Sequence, residues 1–157
     1  MNDYIKTMRS LIGKERLLTV GCGAIIENEY GEILLQRRKD QNNWGIPGGV
    51  MEIGETFIET VTREVLEETG LILYDLKLFG IYSGKRGLQE YQNGDKIFSV
   101  QIIFQTNRYT GKLKQNNEES YEHTFFPRHS MPSPINPHQE PFIRDWQKGG
   151  YKTVIVK

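Results

Sequence analysis

The chain carries one cysteine, Cys22, and no excess of either charge. A lone cysteine excludes an internal disulfide, and without a cysteine–histidine cluster it gives no zinc site. Cys22 lies in an apolar stretch and is expected to be a buried, inert thiol. Lys plus Arg and Asp plus Glu total 20 each, so the formal net charge is zero. That balance excludes a general pull toward nucleic acid or an anionic membrane surface, and no DNA partner is expected. It does not exclude a local basic pocket. No stretch approaches the roughly 18 consecutive apolar residues of a membrane span. The opening MNDYIKTMRSLIGKERL has no secretory pattern. A cytoplasmic protein with no membrane partner is therefore expected. Internal repeats and low-complexity tracts are also missing.

What is present is ordinary globular composition: 157 residues, 37% hydrophobic and 11% aromatic. That suffices for one domain, 1–157, with a core that needs no covalent staple. Residues 3–12 place Tyr4, Ile5, Met8, Leu11 and Ile12 at helical spacing, and Gly13 ends that helix within an N-terminal extension over 1–16. Residues 17–27 and 32–38 read as strands joined by the turn Asn28–Gly31, hence as a hairpin. Residues 39–54 are rich in turn formers, and a helix follows over 55–69, stopped by Gly70. Further strands are expected at 71–83, 96–109 and 121–127, with a polar loop at 110–120. A proline-rich loop over 127–141 leads to a short helix at 139–148, and a strand forms in YKTVIVK. Strands with scattered helices make an α+β layered domain.

The helix at 55–69 has a face of Ile58, Val61, Val65 and Thr69, expected to pack on the core. Beside it runs a stripe of Glu64, Glu67 and Glu68, neighbours at i, i+3 and i+4. Like charges at these spacings oppose each other by roughly 0.2–0.5 kcal/mol per pair. They also stand at the negative end of the helix dipole, unfavourable by roughly 0.3–1 kcal/mol each. A hard divalent cation reverses the sign of both effects, and Mg²⁺ or Mn²⁺ prefers such oxygen ligands.

The stretch from Gly49 to Leu71 resembles the signature of the Nudix (MutT-like) hydrolases. Gly49 opens it, five residues precede Glu55, and seven more precede Arg63-Glu64. Val65, Leu66, Glu67-Glu68, Thr69, Gly70 and Leu71 complete it. The resemblance implies an α/β/α sandwich around a mixed sheet. It implies a metal held by Glu64, Glu67, Glu68 and the backbone carbonyl of Gly48. It implies structural support from Glu55 and Arg63, although Glu59, four residues before Arg63, offers a plain ion pair instead. The activity implied is Mg²⁺-dependent hydrolysis of a diphosphate linkage in a nucleoside diphosphate derivative, by water activated at the metal. Glu64 is one candidate for the base. Glu118, Glu119 and Glu122, in a pattern like a later family loop, are others, with Glu119 placed among the catalytic residues. Arg37 and Arg38 are candidate phosphate contacts, on opposite faces of their strand.

Trp44 is expected to pack rather than stack on a base. His123, His129 and His138 lack ligand spacing and are read as structural or surface residues. Lys85, Arg86 and residues 91–95 are candidate specificity elements. The N-terminal segment is available for a homodimer contact or a substrate lid. A non-catalytic nucleotide- or metabolite-sensing domain on the same fold is the alternative, though such domains typically lose signature glutamates. An isoprenoid diphosphate isomerase fits less well, since Cys22 is in the first strand. The absence of proline from residues 82–90 disfavours the ADP-ribose branch.

Overall fold

Strand β1 (Leu17–Ile26) is the spine of the molecule, and its alternating side chains serve two different cores. The fold is taken from a computed structural model, which describes residues 3–157. β1 runs parallel to β8 (Lys96–Thr106) over its whole length and antiparallel to β4 (Gly48–Val50) on its other edge. β8 continues to β6 (Lys77–Tyr82) and to the short β7 (Leu88–Glu90). β11 (Ile155–Val156) closes the far edge, parallel to β6. The sheet is therefore mixed. A second sheet joins β10 (Ser120–Phe126), β2 (Ile33–Arg38) and β3 (Trp44–Gly45), and a third pairs β5 (Leu71–Tyr74) with β9 (Arg108–Gly111).

Period-two alternation assigns the faces. Cys22, Ala24, Ile26, Ile102 and Phe104 pack toward α2 (Phe57–Thr69), meeting Val61 and Val65. Ile25, Ile103, Ile33 and Leu35 pack toward α3 (Glu140–Lys148), meeting Phe142, Ile143 and Trp146. The strands thus lie between two helical layers, as an α/β/α sandwich. α1 (Asp3–Ile12) lies outside both cores and has no buried residue. Trp44 is a core residue, edge-on to Phe126 at 4.9 Å, in keeping with a packing role.

Several expectations are corrected. β1 and β2 do not form a hairpin ladder. The turn at Asn28–Gly31 is present, but only the bridge Glu27–Ile33 joins the two strands. Both edges of β1 are occupied by β8 and β4, so β2 diverges to pair with β10 and β3. The strand expected at 71–83 breaks at Asp75, whose φ of +52° is a left-handed turn conformation that aspartate tolerates. The turn-rich 39–54 segment contains two short strands. Ile58 is 45% exposed, while Thr60 and Glu68 join Val61, Val65 and Thr69 as the buried face of α2.

The C-terminal end is tied down by one carboxylate. Asp145 accepts from the Tyr82 hydroxyl (2.8 Å), the Tyr151 hydroxyl (3.1 Å) and Lys157 Nζ (3.0 Å). Burial by itself would raise its pKa, but the three donors outweigh burial and hold it below the ordinary aspartate value. A depressed native pKa adds stability above the unfolded value of about 3.9, lost as pH falls through the native one. Asp145→Asn is expected to lower stability by about 1–3 kcal/mol near neutral pH. It should also flatten the acid limb of the stability–pH curve, measured by urea unfolding from pH 7 down to pH 3.

Candidate active site

α2 begins with a capping box. The Thr56 hydroxyl accepts from the Glu59 amide, and the Glu59 carboxylate accepts from the Thr56 amide. Glu59 is thereby committed to the cap. Glu55 lies just before the helix rather than in it, because Thr56 is the cap residue. Its carboxylate accepts from the Glu52 amide, the Thr60 hydroxyl and Arg63. Arg63 grips Glu55 with two parallel bonds, Nε at 2.6 Å and Nη2 at 3.0 Å. That grip, with the other two donors, pulls the Glu55 carboxyl down to about 2 against the pull of burial. Arg63 also donates to Glu64 Oε1 at 2.8 Å and to the Val50 carbonyl at 3.3 Å. The guanidinium therefore ties the start of α2, β4 and the acidic stripe together.

The three glutamates of the stripe meet different environments. Glu68 is 6% exposed, Glu64 is half-buried and Glu67 is exposed. Glu67 leans on Arg63 at 3.5 Å. Glu68 Oε2 accepts from Gln36 Nε2 at 2.6 Å and lies 3.4 Å from the Gly48 amide nitrogen. Burial pushes the Glu68 carboxyl up to about 8, Arg38 and Gln36 pull against that, and Glu64 and Glu119 add to it. Burial also raises Glu64, opposed by its bond to Arg63.

Gly48, Gly49, Glu64, Glu68, Arg38 and Glu119 line one open cavity of about 260 Å³. A Cβ on Gly49 would stand 2.3–2.6 Å from the Glu64 carboxylate, and one on Gly48 would stand 2.4 Å from the Cys22 carbonyl oxygen. Only glycine admits this approach of backbone to carboxylate. Glu119 reaches the cavity, Glu118 is not among its lining residues, and Glu122 pairs instead with Arg37 at 3.4 Å. Arg38 lines the cavity and is braced by Asp40 at 3.2 Å. Arg37 lies outside it, over the Tyr121 ring. Cys22 is buried and its thiol is pushed up to about 12, which keeps it inert.

The donor set suits a hard divalent ion. Glu64, Glu68 and Glu119 bring carboxylate oxygens to the cavity, and a cation would relieve their mutual repulsion. Among the described residues no three acidic, histidine or cysteine side chains form a complete ligand cluster. An ion held by Glu64 and Glu68 would thus draw on backbone, water or a rotated Glu67, which suits the retained waters of Mg²⁺.

Sequence reasoning missed the buried support behind Glu68. Gln36 is 1% exposed, and its Oε1 lies 3.0 Å from His123 Nε2, while His123 Nδ1 donates to the Lys114 carbonyl at 2.6 Å. A glutamine facing inward on a strand of leucines was the available signal. His138 lines the cavity and contacts the Arg86 carbonyl. Of the residues read as specificity elements, Tyr91 lines the cavity, while Arg86 bonds to the Pro137 carbonyl and pairs with Glu140.

Replacing Arg63 by lysine keeps the charge but loses the two-pronged grip. Divalent-ion affinity is expected to fall roughly 10–100-fold, as for other residues that orient ligands, measured by calorimetric titration with Mn²⁺.

Comparison with known proteins identifies the family. The NUDIX domain family matches residues 17–146. An ADP-ribose pyrophosphatase of Methanocaldococcus jannaschii is 30% identical over 131 residues, 82% of this chain and 73% of that protein. The mouse 8-oxo-dGDP phosphatase NUDT18 is 31% identical over 118 residues, 73% of this chain, and the match spans 34% of that longer protein. Among solved structures, a MutT NUDIX hydrolase from Burkholderia pseudomallei superposes with a TM-score of 0.69 at 25% identity, covering 82% of this chain and 97% of that one. A family match over residues 17–146, with these relatives, shows that this chain belongs to the Nudix family.

Proposed function

We propose that the chain hydrolyses a diphosphate linkage in a nucleoside diphosphate derivative, using Mg²⁺ or Mn²⁺. The observation that carries this reading is the meeting of Glu64, Glu68, Glu119 and Arg38 with the Gly48–Gly49 backbone in one open cavity. Glu64 and Glu68, with Glu67 and the Gly48 carbonyl, are the residues that would hold the ion. A bound ion supplies positive charge to the phosphoryl oxygens and lowers the pKa of water. Arg38, braced by Asp40, offers a guanidinium to a substrate phosphate. Glu119, exposed at the cavity wall, is placed to take the proton from attacking water, in reach of solvent to release it. The names of the relatives, an ADP-ribose pyrophosphatase and an 8-oxo-dGDP phosphatase, support a nucleotide substrate class. With an ADP-ribose enzyme among them, the missing proline at 82–90 does not separate this chain from that branch.

The test is a panel of nucleoside triphosphates, nucleotide sugars and dinucleoside polyphosphates, with phosphate and pyrophosphate quantified with and without Mg²⁺. Glu68→Gln is expected to lower turnover of every substrate by about 10²–10⁴-fold. Its melting temperature should hold or rise, because an amide replaces a carboxylate held at a buried site. Full turnover in this variant would refute the ligand role. Tight nucleotide binding by the wild type without any turnover would favour a sensing domain.

A further inference from the structure

A second lobe of about 420 Å³ opens off the same cavity, sharing Val50, Glu64, Tyr91, Ile97 and Glu119 with the first. β1 orders the two lobes along its length: Gly21–Gly23 line the first and Thr19 lines the second. The outer wall of the second lobe is α1, through Ile5, Lys6 and Arg9. This helix precedes the residues matched by the NUDIX domain, so it is an addition to the family core. It is pinned in place at both ends. The Tyr4 amide donates to Glu52 Oε2 at 3.3 Å, and Arg9 donates to the Lys96 carbonyl at 2.7 Å and to the Gly13 and Glu15 carbonyls. Arg9 Nε also lies 3.7 Å from Asp95.

Two features of the lobe point to a ligand. Thr19 is 2% exposed, and its hydroxyl has no hydrogen-bond partner. A buried hydroxyl left in that condition is costly unless something fills the space beside it. Lys6 lines the lobe and has no ion-pair partner among the described residues. The first lobe differs in chemistry. Its far wall carries the neutral groups Gln89, Ser99, Gln101, Asn136 and Gln139. Amides suit the hydrogen-bonding edges of a base or sugar, whereas an ammonium with a free hydroxyl suits a phosphate.

We propose that the α1 lobe receives the terminal phosphate of a nucleoside triphosphate, with the Lys6 ammonium and the Thr19 hydroxyl as its contacts. The assignment rests on the hydrolase reading for the identity of the ligand. It orients the substrate, with the nucleoside in the amide-lined lobe and the phosphate tail beneath α1. Glu64, Glu67, Asp95 and Glu119 also line this lobe, with Arg63 tied to the first two and Arg9 beside Asp95, so the phosphate charge must be offset there. Lys6 supplies one positive charge, and an ion held by the glutamates would add to it. Arg9 is occupied by the backbone carbonyls that hold the helix.

The test compares binding of methylene-bridged, non-hydrolysable nucleoside tri- and diphosphates by calorimetric titration. The wild type should bind the triphosphate analogue about tenfold more tightly, the scale of one charge-assisted contact. Lys6→Gln and the near-isosteric Thr19→Val should each reduce that ratio several-fold, and together bring it near one. Lys6→Arg should restore it in part. Lys6 is exposed, so its variants report on binding rather than folding. An unchanged ratio in both single variants would overturn the assignment. If the wild type turns over no nucleotide while the preference and its loss in the variants persist, the hydrolase reading fails and the lobe assignment stands. If turnover persists without any preference, the lobe assignment fails alone.

Discussion

The contact between the Gly48–Gly49 backbone and its neighbours constrains everything else in the site. On one side a glycine α-carbon lies against the Cys22 carbonyl, and on the other against the Glu64 carboxylate. A methyl group on Gly48 would run into backbone, and one on Gly49 would push the Glu64 carboxylate aside. β4 is therefore held between the β1 backbone and the Glu64 side chain of α2. Arg63 makes the clamp directional by bonding Glu55, Glu64 and the Val50 carbonyl. The helix is thereby fixed in translation along its axis as well as in distance.

Within that frame Glu68 is held under tension. A carboxylate this deep is opposed by burial and by the neighbouring carboxylates. It is retained by Gln36, whose own Oε1 accepts from the Ser120 hydroxyl at 3.4 Å. Such an arrangement favours a bound cation over stability of the empty fold. Glu67, by contrast, is solvated and leans on Arg63, so it is free to swing.

The legible parts of the sequence were the local ones. The run Arg63 to Gly70 encodes a helix, its stop and its acidic stripe within a few turns, and Gly70 does adopt a φ of +80°. α1, β1, β10 and α3 also appear close to their expected bounds. What was not legible depends on distant segments. Period-two alternation describes β1 and β2 correctly but cannot say that β8 and β4 have taken both edges of β1. Helical periodicity places Ile58 near the apolar face, yet nothing packs over the first turn at that angle. Gln36 with His123, and Tyr82 with Tyr151 and Lys157 on Asp145, join residues with no sequence pattern between them. The wall made by α1 is likewise invisible without knowing where residues 91–95 fold.

The register of β1 and β8 bears on how the cavity comes into being. Leu17 lies opposite Ile97 and Ile26 opposite Thr106, so every rung joins residues about 80 apart in the chain. The glycine strand and its helix are close neighbours in sequence and can meet early in folding. Their floor cannot, because parallel pairing across so long a loop is intrinsically slow. The acidic helix thus waits for a partner strand made much later. Until that strand docks, its carboxylates remain in water, where their mutual repulsion is weak. Assembly of the floor is then the step at which the charges become confined.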